Sequence, residues 1–316
     1  MRISAVVYVP KKTHRFGTIL TILIILVLIT AITILGISAF SAWKVIHPPK
    51  EDIMPFTLNI VPDYRDAKFS SIDGKVVING WFFEKKDSDK TVILCHDYGK
   101  NRLQFGEQTI NLVKGFLNKG YNVLAFDFRN SGKSGGLVTS ICLLEKEDLL
   151  GAIKYARDSC GSKHIVLMGF SMGASTSLLA AAESGDVDAV IADSPFSDFN
   201  SYLNNKLMNW KLPGFPFNKT IPFFIGLFTG TDIKNLDIEK AVKKIAPKPV
   251  LFIHGTDDTI VKYSDVSRLA SLYSSTGKAN AEIWECEGSG HLGAYSGSQE
   301  AYIGRILEFL DALNLE

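Results

Sequence analysis

No charged residue stands between Arg15 and Lys44, and the stretch from Ile19 to Ile37 is almost wholly Ile, Leu, Val, Ala and Thr. A helix of about 20 residues, rising about 1.5 Å per residue, crosses a hydrocarbon core of roughly 30 Å, so this segment is long enough to span with some tilt. The rival reading is a cleaved signal peptide, whose apolar region is usually about 7 to 15 residues. The apolar run here is longer, although the small residues Ala39, Ser41 and Ala42 keep cleavage open. Arg2, Lys11, Lys12 and Arg15 precede the span, whereas Lys44 and Lys50 follow it beside Glu51 and Asp52. That bias predicts a cytoplasmic amino terminus and an extracytoplasmic remainder. The expected organisation is a tail at 1–16, a transmembrane helix at 17–43, a linker at 44–65 marked by prolines, and one globular domain at 66–316.

The remaining composition limits partners. Lys and Arg number 34 against 33 Asp and Glu, a formal charge of +1, so the general electrostatic footprint of a nucleic-acid binder is missing. With 46% hydrophobic residues the chain is not intrinsically disordered. Four cysteines invite a disulfide reading in an exported domain. Cys95 and Cys286 sit in apolar runs, and Cys142 and Cys160 flank a helix-like segment of about 20 Å, beyond the Cα separation of roughly 7 Å that a bridge tolerates. Four free thiols are expected, and no spacing of Cys and His matches a zinc site.

From Asp66 onward the pattern alternates. A hairpin, Asp66 to Ser71 and Val76 to Phe83, turns at Asp73-Gly74. Short apolar strands follow at Thr91 to Cys95, Val123 to Phe126, Ile165 to Met168, Ala189 to Ala192, Val250 to Ile253 and Glu282 to Trp284. Helix-period segments separate them near Gln104 to Asn118, Glu145 to Asp158, Met172 to Glu183, Tyr263 to Ser275 and Gln299 to Leu313. Apolar strands alternating with helices predict an α/β fold with a mostly parallel sheet covered on both faces. The interval from Ser197 to about Leu236 is too long for an ordinary loop and rich in aromatics, which makes it a candidate cap over the strand ends. The alternative is a helix pair that only completes the core.

The chemistry centres on Gly169-Phe170-Ser171-Met172-Gly173, placed between a strand and a helix. A serine at such a turn is lifted above the sheet, and the helix amino terminus points free N–H groups at a developing anion. A serine hydroxyl needs a base, and the base needs an orienting acid. The loop after one later strand carries Asp257 and Asp258 and the loop after the next carries His291, so serine, an acid and histidine occur in that order at one sheet edge.

On these motifs the chain resembles the α/β-hydrolase superfamily, within it the serine-aminopeptidase-like group that includes bacterial membrane-anchored esterases. The likeness covers about Asp66 to Leu313. Gly169 to Gly173 matches the nucleophile elbow, His254-Gly255 with Asp258 and Val261 the acid loop, and Gly290-His291 the histidine loop. Asp127 to Ser134 is similar to the Asp-x-Arg-Gly-x-Gly-x-Ser turn, and Asp193-Ser194-Pro195-Phe196 resembles the segment after the sixth strand. The resemblance implies a catalytic set of Ser171, Asp258 and His291, with backbone N–H groups of Tyr98 and Met172 as the oxyanion hole. It implies no metal and no organic cofactor. Asp257 and Asp193 are the rival acids; His96 and His254 read as loop-holding residues; Glu145, Glu147 and Asp148 read as carboxylates serving a helix dipole.

Two departures stand out. His96-Asp97 occurs where the family usually has His-Gly, which brings a carboxylate toward the site, and Val261-Lys262 replaces Val-Pro. The expected activity is cleavage of a small-molecule acyl ester through an acyl-enzyme. Serine peptidase or aminopeptidase, thioesterase, acyltransferase and a non-catalytic binding module on the same fold stay open as alternatives. Between Trp210 and Phe228 there is no Asp or Glu to receive a substrate ammonium, which favours uncharged acyl groups over aminoacyl ones.

Overall fold

A computed structural model describes residues 15–53 and 61–315. The tail charges Arg2, Lys11 and Lys12 and the linker residue Pro55 lie outside the described residues. The amino-terminal helix α1 (Arg15–Ile46) is 32 residues long. Positions 16–37 are exposed apart from half-buried Ile34, over roughly 33 Å of helix. Beyond them the same helix runs into the globular body: Ser38, Ala42, Val45 and Ile46 are buried. The helix therefore continues past the expected boundary at residue 43, and its end belongs to the core.

The last carbonyls of any helix lack intrahelical partners. Here the body supplies them. The Tyr98 hydroxyl donates to Val45 O at 2.7 Å, and Thr139 N and Asn130 Nδ2 donate to Ile46 O at 2.9 and 3.4 Å.

The sheet begins with β1 (Arg65–Ser70) and β2 (Val77–Phe83), an antiparallel hairpin whose turn uses Gly74 at φ +72°. Next come β3 (Lys90–Cys95), α2 (Thr109–Asn118), β4 (Asn122–Phe126), α3 (Leu143–Cys160), β5 (His164–Phe170), α4 (Met172–Glu183) and β6 (Ala189–Asp193). The expected cap interval folds as α5 (Phe199–Asn209) and α6 (Phe217–Thr229). Then follow α7 (Ile238–Ile245), β7 (Val250–Gly255), α8 (Tyr263–Ser274), β8 (Glu282–Cys286), α9 (Gly293–Gly297) and α10 (Gln299–Ala312).

The eight strands lie in the order β1-β2-β4-β3-β5-β6-β7-β8, parallel from β4 through β8. Alternate residues of the central strands feed two cores. Ile93, Ile165 and Leu167 pack on the side that also receives the end of α1, while Val92, Val166 and Met168 face α2 and α10. Strands buried on both faces are apolar throughout, which is why they read as continuous runs. The chain moves from β3 outward to β4 and then back across to β5, so the connections leaving β3 and β5 diverge. That crevice at the carboxyl ends of the strands is where sites form in open α/β sheets.

Two buried ion pairs fix the turn after β4. Asp127 Oδ2 meets Arg102 at 2.6 Å and accepts from Lys133 N at 2.8 Å, and Arg129 meets Asp148 of α3 at 2.6 Å. Glu145 is buried as well, accepting from Thr139 and Ser140 side chains at 2.6 and 3.0 Å. These carboxylates do more than serve a helix dipole; they tie α3 to the turn. All four cysteines are free thiols, with Cys95, Cys142 and Cys286 buried.

Candidate active site

Ser171 sits between β5 and α4 at φ +50°, ψ −109°, a conformation that costs a non-glycine residue energy and persists only where packing enforces it. The glycines on either side permit the turn. A Cβ on Gly169 would run into the backbone of Gly173, and one on Gly173 would meet Cys95 O of β3. Met172 N is the first N–H of α4 and has no partner within the helix.

His291 lies in the loop after β8 and Asp258 in the loop after β7. The two loops are laced together: Thr256 N donates to Cys286 O at 3.1 Å and Asp257 N to Ser289 O at 3.0 Å. His291 Nδ1 is 2.7 Å from Asp258 Oδ2, and Asp258 Oδ1 accepts from Ile260 N and Val261 N at 2.7 and 2.8 Å. The carboxylate is thus aimed by its own loop. His254 holds that loop from below, donating Nε2–H to Val261 O at 2.9 Å. Asp257 points elsewhere, toward Thr256. Asp193 accepts from Ser194 and Tyr302 hydroxyls at 2.9 and 2.6 Å, and burial pushes its carboxyl up to about 6. Neither rival carboxylate hydrogen-bonds His291.

The loop after β3 carries the departure from His-Gly. Phe128 N donates to His96 Nε2 at 2.9 Å, which leaves Nδ1–H to donate to Asp97 O at 2.7 Å. Tyr98 N and Met172 N do converge on one point, but that point is occupied. Both donate to Asp97 Oδ1, at 2.6 and 3.2 Å. The other oxygen, Oδ2, stands 3.9 Å from His291 Nε2, which makes no hydrogen bond. Burial alone would lower the His291 pKa; the Asp258 and Asp97 carboxylates outweigh it and raise the imidazole to about 10. Burial likewise opposes the charge on Asp97, yet nearby His291, Met172 N and the Ser171 hydroxyl hold its carboxyl below the usual range.

Lys206 of α5 completes the surroundings, its ammonium 4.8 Å from the Tyr98 ring centroid and 5.3 Å from that of Tyr202. Nothing in the spacing of the sequence places Lys206 here. An open groove of about 870 Å³ along α6, walled by Phe199, Phe223, Leu227 and Ile238 and by the charged Asp198, Lys219, Asp232 and Glu239, includes none of Ser171, Asp258 or His291 in its lining. Among the described residues no cluster of His, Cys, Asp and Glu is arranged to hold a metal ion.

Residues 90–236 match the family model described as alpha/beta hydrolase fold. The chain is 32% identical over 241 residues to the uncharacterized protein YqkD of Bacillus subtilis, an alignment spanning 75% of this chain and 76% of that one. A solved esterase of Pyrococcus furiosus superposes with a TM-score of 0.70 at 31% identity, over 85% of this chain and 98% of its own. Similarity to the lysophosphatidylserine lipase ABHD12 of Danio rerio is 26% over 206 residues, 63% of this chain and 52% of that protein. With this sheet order, this crossover and these relatives, the chain belongs to the α/β-hydrolase family and is a hydrolase of its esterase-like kind.

Proposed function

We propose that the protein is a membrane-anchored serine hydrolase that cleaves acyl esters through an acyl-enzyme on Ser171. The observation that carries this reading is the Asp258–His291 hydrogen bond at the same sheet edge as the strained Ser171 turn. In its neutral form His291 Nε2 takes the hydroxyl proton as Ser171 Oγ attacks the acyl carbon. It then gives that proton to the departing alcohol. Water repeats the sequence and releases the acid. Asp258 holds the ring and stabilises the imidazolium that forms. Tyr98 N and Met172 N are the donors suited to the carbonyl oxygen as it gains charge.

The anchor is α1, whose positions 16–37 carry no charged residue. Helix α6 packs along its far end: the Ser38 and Thr220 hydroxyls lie 2.7 Å apart, and Trp43 and Phe228 meet edge to face. Phe217, Ile221 and Ile225 of α6 point into the core, while Phe223 and Leu227 point out, each 63% exposed. These two side chains share a groove with Lys219, Asp232 and Lys234. Lys211 and Lys219 are the only charges between Trp210 and Phe228. A stretch of that character favours substrates with apolar acyl chains; the carboxylates of the cap interval, Asp198 and Asp232, stand near its two ends, outside this stretch.

Two measurements test this reading. A fluorescent fluorophosphonate should label the full-length protein at Ser171, and kcat/KM on p-nitrophenyl esters should rise from acetyl to hexanoyl. Each buried methylene contributes about 0.8 kcal/mol, so a few carbons correspond to roughly tenfold or more. Faster cleavage of aminoacyl anilides than of acyl esters would favour an aminopeptidase instead. For topology, protease added to intact cells or spheroplasts should digest the catalytic domain and spare an epitope placed before Met1. The reverse pattern would move the domain to the cytoplasm.

A further inference from the structure

We propose that Asp97 is a built-in occupant of the oxyanion site, a carboxylate that an incoming acyl carbonyl must displace before Ser171 can react, so that the free enzyme rests in a latent form. The inference rests on the assignment of Ser171, His291 and Asp258 made above and adds the control of that site.

The geometry is that of a bound anion. Tyr98 N comes from the loop after β3 and Met172 N from the first turn of α4, yet both end on the single atom Asp97 Oδ1, at 2.6 and 3.2 Å. An oxyanion formed by attack of Ser171 needs two donors converging at about 2.7 to 3.1 Å. The helix amino terminus behind Met172 favours negative charge at that point. A hydrogen bond to a carboxylate is roughly twice as strong as one to a neutral acceptor. An ester carbonyl therefore competes for these two donors at a disadvantage.

The same side chain acts on the base. Asp97 Oδ2 faces His291 Nε2 at 3.9 Å while Asp258 holds Nδ1 from the other side. Between two carboxylates the ring is kept protonated near neutral pH, with its pKa at about 10. A protonated ring cannot accept the Ser171 proton. Asp97 thus blocks the reaction at two atoms, the acceptor of the oxyanion donors and the acceptor of the proton. The other charged and titratable groups bearing on this pair are Lys206 and Tyr202 from α5, His96 and Tyr98 from the loop after β3, Cys142 before α3, Asp193 at the end of β6, and His254, whose Nε2 lies 3.6 Å from Asp258 Oδ2. None of them reproduces the contact of Asp97 with both Tyr98 N and Met172 N.

The test compares full-length wild type with Asp97→Gly and Asp97→Asn in one detergent, from pH 6 to pH 10. It reads the second-order rate of fluorophosphonate labelling, the labelled peptide, and kcat/KM on p-nitrophenyl butyrate. Emptying the site with Asp97→Gly should speed labelling at pH 7 by roughly tenfold or more. The midpoint of the rise in kcat/KM with pH should fall by at least about one unit, because removing an opposite charge lowers the imidazole pKa. Asp97→Asn removes the charge but not the bulk; it should share the shift in midpoint, with a rate between the other two. A purely structural Asp97 would lower the melting temperature without moving that midpoint. Equal labelling rates in wild type and Asp97→Gly, or an unchanged midpoint in a folded Asp97→Asn, overturn the proposal while leaving Ser171 as nucleophile. Failure of all three proteins to label at Ser171 overturns the nucleophile assignment and the occupant role together.

Discussion

Ser171→Ala is expected to lower kcat on p-nitrophenyl esters by a factor on the order of 10⁵ to 10⁶, with the fold intact. Residues that act as one unit lose nearly everything when any member is removed, and the remaining rate comes from binding and from the oxyanion donors alone. His291→Ala should fall to a similar level, and the double variant little further. Circular dichroism and melting temperature separate this loss from unfolding. The Ser171 backbone conformation at φ +50° is equally strained for alanine, so stability should change little. Comparable turnover in Ser171→Ala, with contaminating esterase excluded, would end the acyl-enzyme reading.

Asp258→Asn should cost a factor on the order of 10⁴ in kcat, a change of tautomer and of charge rather than of shape. Ile260 N and Val261 N both donate to Asp258 Oδ1. An asparagine at this position must keep its oxygen toward those two donors, which turns its NH₂ toward His291 Nδ1. Nδ1 then becomes an acceptor, Nε2 carries the hydrogen, and the ring can no longer receive the Ser171 proton. Asp193→Asn is the matched control. Its carboxylate serves Ser194 and Tyr302, so turnover should stay within about tenfold of wild type. A crippled Asp193→Asn beside an active Asp258→Asn would reassign the acid.

What could be read before the structure was known follows from how local each signal is. The central strands stand out because both faces are buried, so every residue from Val250 to Ile253 is apolar. The turn around Ser171 stands out because glycine at 169 and 173 is demanded by backbone atoms in the immediate neighbourhood. Helix α7 is not among the segments the pattern predicts. It has eight residues, IEKAVKKI, and its apolar stripe is too short against its charged positions to register as a period. The end of α1 was hidden for another reason: Ala42, Val45 and Ile46 have the same composition whether they meet lipid or protein. Glu145 and Asp148 read as helix-terminal carboxylates because their partners, Thr139, Ser140 and Arg129, precede them in a turn whose path the sequence does not reveal. The departure at Asp97 was visible as a residue, but the convergence of Tyr98 N and Met172 N on its carboxylate depends on the approach of β3 to α4.

The junction between α1 and the sheet bears on how exchangeable the two parts are. Val45 O and Ile46 O are satisfied by Tyr98, Thr139 and Asn130, so the helix borrows its terminus from the domain it carries. A tethered enzyme would tolerate any foreign hydrophobic segment grafted through a loose connection. This one would lose the carbonyl that steadies the Tyr98 hydroxyl, in the very loop whose backbone faces Ser171. The helix is accordingly a beam built into the frame that holds Ser171, and in the anchored form proposed above its inclination in a bilayer would set the direction in which the strand ends open.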